Sequence, residues 1–180
     1  MYHISGDPRT ERSARRICDA LVACARQKPF DEITVADLHR DYGISRTTFY
    51  RLFDNTVDVL EYNCDRLGNE ILLNVRGDTP RELTINAITA LQDEYEFIEI
   101  LSKSDHHDIV QRIQEKYLPL SEMAEGMHLD TGCEYFHRIL AQLVPIAMDV
   151  WVSGGREDTP VQVYEKLRRS VQMLGVWFSD

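Results

Sequence analysis

Apolar residues recur along this chain at spacings of three and four, the pattern of helices that bury one face. Ile17, Ala20, Leu21, Cys24 and Ala25 predict a first helix from about Thr10 to Lys28, stopped by Pro29. Val35, Leu38 and Tyr42 mark a short second helix, and Phe49, Leu52 and Phe53 a short third. Val59, Leu60, Cys64, Leu67, Ile71 and Leu72 carry a fourth to about Arg76, where Gly77-Asp78 breaks the chain. Leu83 to Lys103 reads as helix in two pieces meeting near Asp93-Glu94. A further helix is expected from Ser104 or Asp105 through Val110, Ile113 and Tyr117 towards Ala124, bent near Pro119. Two longer ones close the chain, on Phe136, Ile139, Leu140, Leu143, Ala147, Val150 and Trp151, then on Val163, Tyr164, Leu167, Val171, Leu174 and Phe178. No segment alternates as a strand would, so the expected class is all-α, with about nine helices.

The boundaries carry their own chemistry. Thr34 with Asp37, Thr79-Pro80-Arg81-Glu82, Thr131-Gly132-Cys133-Glu134 and Thr159-Pro160-Val161-Gln162 each place a hydroxyl before a helix and an acceptor three residues on. Asn55 with Asp58 does the same for the fourth helix. Gly43 stands where a helix can end left-handed, Ile44 drops into the corner, and Ser45 caps the third helix. Gly126 to Asp130 reads as a loop, and Gly154-Gly155 stops the penultimate helix. A short helix, a glycine-bearing turn and a second helix make a helix-turn-helix between Thr34 and Phe53.

The third helix has two unlike faces. Phe49, Leu52 and Phe53 fall together at roughly 100° per residue, while Thr47 and Arg51 centre the other side, flanked by Arg46, Tyr50 and Thr48. Paired threonines are mediocre helix formers, so that outer face is not chosen for helicity. Hydroxyls, a phenol and two guanidinium groups suit phosphates and base edges; a plain solvated face is the alternative.

From Arg9 to about Leu60 the chain resembles the DNA-binding domain of the TetR family of bacterial transcription regulators. The resemblance lies in the first helix, Phe30-Asp31-Glu32-Ile33-Thr34-Val35, Gly43-Ile44-Ser45-Arg46-Thr47-Thr48-Phe49-Tyr50-Arg51-Leu52-Phe53, and Asn55 opening another helix. It implies a helix-turn-helix domain at residues 1–53, a connecting helix at 54–76, and a helical effector-binding and dimerisation domain at 77–180. It also implies double-stranded operator DNA as a partner, with Arg46 reading a base edge and Thr47 and Thr48 touching methyls or phosphates. Tyr50, Thr34 and Ser45 would hold phosphates, and Arg51 would either join them or pair with Asp54 or Asp58. Three positions depart from the family: Leu52 stands where histidine or tyrosine is common, Thr56 replaces a frequent lysine, and Ala36 a frequent arginine. Backbone contact would then shift towards Arg9, Arg12 and Arg16.

The last two helices are apolar over a wide arc, which burial within one chain or between two would explain. The resemblance implies the second, a homodimer joined through Leu143, Ala147, Leu167, Val171 and Leu174. Two recognition helices about 34–36 Å apart would then meet successive major grooves. The family default is a repressor released by a small-molecule effector, for which Tyr95, Phe97, Tyr117, Tyr135 and Trp151 are candidate pocket residues; core packing explains the same aromatics. A protein partner for the C-terminal domain is the competing expectation.

Composition alters this picture little. The 180 residues are 43% hydrophobic and 28% charged, ordinary for a soluble protein. The net charge of −10 argues against nucleic acid until its distribution is seen. Residues 1–60 carry nine Lys/Arg against nine Asp/Glu, so the whole excess lies beyond residue 60. Cys18, Cys24, Cys64 and Cys133 are scattered, which suggests reduced thiols and a cytoplasmic setting. No apolar run approaches the roughly 20 residues of a membrane span. No signal peptide is expected, and the polar N-terminus reads as a short arm. Cys133 and His137 share a helix face without a third ligand, and no phosphate loop or nucleophile motif occurs. Neither an enzyme nor a cofactor or metal is therefore expected.

Overall fold

The computed structural model describes residues 2–4, 6–117 and 134–177, and they form nine α-helices with no strand among them. In order these are α1 (Pro8–Ala25), α2 (Val35–Tyr42), α3 (Arg46–Leu52), α4 (Thr56–Asn74), α5 (Pro80–Asp93), α6 (Tyr95–Lys103), α7 (His107–Tyr117), α8 (Glu134–Ser153) and α9 (Pro160–Trp177). A single 3-10 turn at Phe30–Glu32 joins α1 to α2. The all-α class is as expected. The loop at 126–130, the Pro119 bend and the Thr131 cap lie outside the described residues.

Helix ends follow local hydrogen bonding. Asp7 accepts from Arg9 N at 3.4 Å and Pro8 takes the first helical position, so α1 begins two residues before Thr10. It ends at Ala25, with Gln27 N turning back to Cys24 O. Ser104 does not open α7. Its amide bonds Ile100 O and its hydroxyl Leu101 O, so it closes α6 instead. Thr79 accepts from Glu82 N at 3.1 Å, and Thr159 and Gln162 bond each other reciprocally.

Ile17, Leu21, Leu38, Phe49, Phe53, Val59 and Leu60 are essentially inaccessible and pack as one core. That core does not break at residue 53 or 76. It continues through Leu67 and Ile71 of α4 to Phe97, Ile100, Ile109 and Ile113. Across α4 and α7 it is rimmed by Arg112–Glu61 at 3.1 Å and Lys116–Asp65 at 2.6 Å. A second, smaller cluster of Ile88, Met148 and Val163 joins α5, α8 and α9, with Ala147 and Trp151 half-buried against it.

The C-terminal helices stop short of closing. Ile139, Ile146 and Val150 form one exposed stripe on α8, with Val150 65% accessible. On α9, Val163 is buried and Tyr164 and Leu167 half-buried, but every residue from 168 to 176 is exposed. Val171 and Leu174 continue the packed stripe into solvent, Leu174 at 54%. No described helix is long and apolar enough to cross a membrane.

Candidate nucleic-acid interface

The geometry of α2, its turn and α3 is set residue by residue. Thr34 Oγ1 accepts from Asp37 N at 3.3 Å, and Asp37 Oδ2 accepts from Thr34 N at 2.9 Å. The Thr34 hydroxyl hydrogen goes to the same carboxylate at 2.6 Å, which leaves its lone pairs but not its proton for another partner. Asp37 also accepts from Lys28 Nζ at 2.5 Å and Arg40 at 2.9 Å. The Lys28 and Thr34 hydrogen bonds hold its carboxyl well below the usual carboxylate range.

Gly43 turns the chain at φ +66°, a left-handed conformation that a Cβ would strain. Its amide bonds His39 O and that of Ile44 bonds Leu38 O, both at 3.2 Å. His39 Nδ1 lies 3.0 Å from Ile44 O; a carbonyl only accepts, so this nitrogen carries the hydrogen. With Ile44 buried, the turn is fixed from both sides.

Ser45 caps α3 through Thr48 N at 3.0 Å and gives its hydroxyl proton to Thr48 Oγ1 at 2.8 Å. Phe49, Leu52 and Phe53 are at most 1% exposed, whereas Arg46, Thr47 and Arg51 face solvent and Tyr50 is 56% accessible. The Tyr50 ring stands edge-on to Phe49 at 5.5 Å, which supports it from below. Arg9, Arg12, Arg15 and Arg16 are all exposed on α1. A Cβ built on Gly43 would come within 3.9 Å of the Arg16 guanidinium, so this charge hangs over the turn.

The residues before α1 are not the free polar arm that their composition suggests. Tyr2 and His3 fold back as a strap. Tyr2 bridges antiparallel to Phe53, and His3 N bonds Leu52 O at 2.8 Å, capping the end of α3. The Tyr2 ring meets Tyr62 at 5.4 Å, and its hydroxyl donates to Asp65 of α4 at 3.0 Å. Burial, with the Asp65 charge beside it, pushes the Tyr2 phenol up to about 12. Sequence periodicity gives no sign of this pairing, nor of the roles of His39 and Lys28.

A half-open cleft of about 460 Å³ lies between α1, α4 and the α5–α6 junction. Tyr95 and Phe97 line it, with Arg15, Asp19, Arg26, Arg66, Asp93 and Glu94. Trp151 lies elsewhere, its indole donating to Asp158 O at 2.9 Å. The side chains of Tyr117 and Tyr135, and the Cys133–His137 pair, lie outside the described part of the structure. Of the candidate dimer residues, Leu143, Ala147 and Leu167 are half-buried and Val171 and Leu174 exposed.

No protein-family profile and no curated protein sequence matches the chain. Solved structures do. A protein from Syntrophomonas wolfei described as a TetR-family transcriptional regulator superposes with a TM-score of 0.71 at 12% identity, covering 92% of this chain and 96% of its own. The dihydroxyacetone kinase operon activator DhaS gives 0.61 at 14% identity, over 93% and 98%. The chain therefore has the fold of the TetR-family transcriptional regulators.

Proposed function

We propose that this protein is a dimeric TetR-like transcription regulator that binds operator DNA through residues 1–53. Helix α4 (within 54–76) links that unit to residues 77–180, which form the dimer and respond to an effector. The observation that carries the reading is the division of α3. Its apolar side is entirely consumed by the core, while Arg46, Thr47, Tyr50 and Arg51 stand together in solvent beside Ser45 and Thr48. Such a surface is left in solvent by folding and matches phosphate and base-edge chemistry. Thr34 serves this scheme as the cap that places α2, offering its lone pairs or backbone rather than its hydroxyl proton.

Dimerisation is supported by the exposed stripe on α8 and by the uncovered end of α9. A second copy would remove them from water at roughly 25 cal/mol per Å² of apolar area. Repression relieved by a ligand is the default form of regulation here. Activation is the second form, since the same fold serves an operon activator. Met173 and Val176, 67% and 76% exposed on the side of α9 opposite Val171 and Leu174, favour a protein partner as the second reading of the C-terminal half.

Selection from random duplexes, then titration of variants on the selected site, tests the DNA reading. Arg46→Ala should cost about 1–3 kcal/mol and relax preference at one position. Tyr50→Phe should weaken all sites alike and keep their rank order. Full affinity and specificity in Arg46→Ala would remove its base-reading role, and no selected sequence at all would remove the function.

A further inference from the structure

The cleft between α1, α4 and the α5–α6 junction has a charge pattern that its own contacts do not use up. Three guanidinium groups line it, on Arg15, Arg26 and Arg66, against four carboxylates, on Asp19, Asp93, Glu94 and Glu96. Arg26 pairs with Glu96 at 2.6 Å, and Arg66 with Glu94 at 3.3 Å and Glu70 at 2.6 Å. The side chains of Arg15, Asp19 and Asp93 make no hydrogen bond or ion pair among the described residues. One cation and two anions thus face the same space without partners. The same lining includes the apolar Val22, buried Cys18 and buried Phe97.

We infer that this cleft binds a small basic amino acid, a molecule with one carboxylate, two cationic groups and a methylene chain. The carboxylate matches the Arg15 fork, which suits bidentate recognition. Asp19 and Asp93 take the two cations, and the methylenes lie on Val22 and Phe97. The lining is one negative charge in excess and the ligand one positive, so the filled site is neutral. About 460 Å³ is within the usual range for small-molecule sites, roughly 300–1,000 Å³.

The site's place in the fold gives binding a consequence. One wall is α1, which carries the helix-turn-helix on its other side, and the opposite wall is the first turn of α6. The Arg26–Glu96 ion pair is the direct bond across. A ligand held by Arg15 and Asp19 on α1 and by Asp93 at the end of α5 bridges the two walls beside that ion pair and sets the spacing of α1 and the α5–α6 junction. This makes it the effector of the regulator proposed above, and only that consequence rests on the DNA-binding reading.

Calorimetry on the intact protein, without DNA, is the test. L-arginine and L-lysine are compared with putrescine, which lacks the carboxylate, L-leucine, which lacks the second cation, and L-glutamate, which reverses the charge. The basic amino acids should bind at least roughly tenfold more tightly than any control, about 1.4 kcal/mol. Arg15→Ala should bring L-arginine down to the level of putrescine, and Asp93→Asn to that of leucine. Both side chains are exposed, so circular dichroism should show both variants folded. Failure of both basic amino acids to saturate at millimolar concentration overturns the inference, as does unchanged binding in the Arg15→Ala/Asp93→Asn double variant. A protein that selects DNA yet ignores these ligands loses this inference alone. One that binds them and selects no DNA loses the regulator reading alone.

Discussion

The two ends of the molecule solve the burial problem in opposite ways. Around α1–α3 the large apolar side chains that periodicity points inward are covered, Ile17, Leu21, Leu38, Phe49, Leu52 and Phe53 fully and Val35 and Tyr42 in part. What remains outside is polar and needs no cover. Along α8 and α9 the inward stripe is only partly used, and Ile139, Ile146, Val150, Val171 and Leu174 stay in water. A polar surface that folding does not require points to a ligand of the surface. An apolar surface that folding leaves bare points to a missing neighbour. The same hydrophobic spacing produces both, and coverage separates them.

The largest expected effect sets a residue of the first kind against one of the second. Phe49→Ala should cost about 3–5 kcal/mol in denaturant unfolding. Ile146→Ala should cost at most about 0.5 kcal/mol in dilute protein, with the cost growing as concentration rises and copies associate. Equal, concentration-independent costs would erase the contrast. Next in size is Leu174→Glu, which must either bury a charge or open the seam. Sedimentation should show self-association weakened at least roughly tenfold, about 1.4 kcal/mol, with helix content retained. A wild type that sediments as a monomer at micromolar concentration would remove the dimer.

The smallest effect is a pH dependence confined to the first region. Asp37 is held below its ordinary range by Lys28 and Thr34, so its stabilisation is complete above that range and is lost as pH falls through the lowered value. Thermal stability should fall from about pH 4 downwards, and Asp37→Asn should flatten that slope while lowering stability at neutral pH. An unchanged acid limb in the variant would show that the carboxylate is not part of it.

Much of this was legible because helix ends are local chemistry. Thr34, Ser45, Asn55, Thr79 and Thr159 each accept from the residue three ahead, as their spacing requires. Gly43 takes the left-handed angle that the turn demands. Failures came where partners are distant in the chain. Nothing near Tyr2 announces Phe53 or Asp65, and nothing near Arg26 announces Glu96. The aromatic set chosen for a pocket shows the same limit. Tyr95 and Phe97 face the cleft and Trp151 packs on the α5–α8–α9 cluster, because helical spacing gives a residue's face and not what that face meets. The cleft was invisible for the same reason, since its walls come from three separate stretches.

The strap also imposes an order in time. Tyr2 cannot reach its final place until Phe53, Tyr62 and Asp65 exist, and Asp65 follows it by 63 positions. At roughly 5–20 residues per second, synthesis keeps it waiting about 3–13 s after it is made. Meanwhile Thr34, Ser45 and their local partners can already form, because each bond spans three residues. Tyr2, translated before its partners, thus settles after the local bonds of α2 and α3, and its docking ties the end of α3 to Tyr62 and Asp65 of α4.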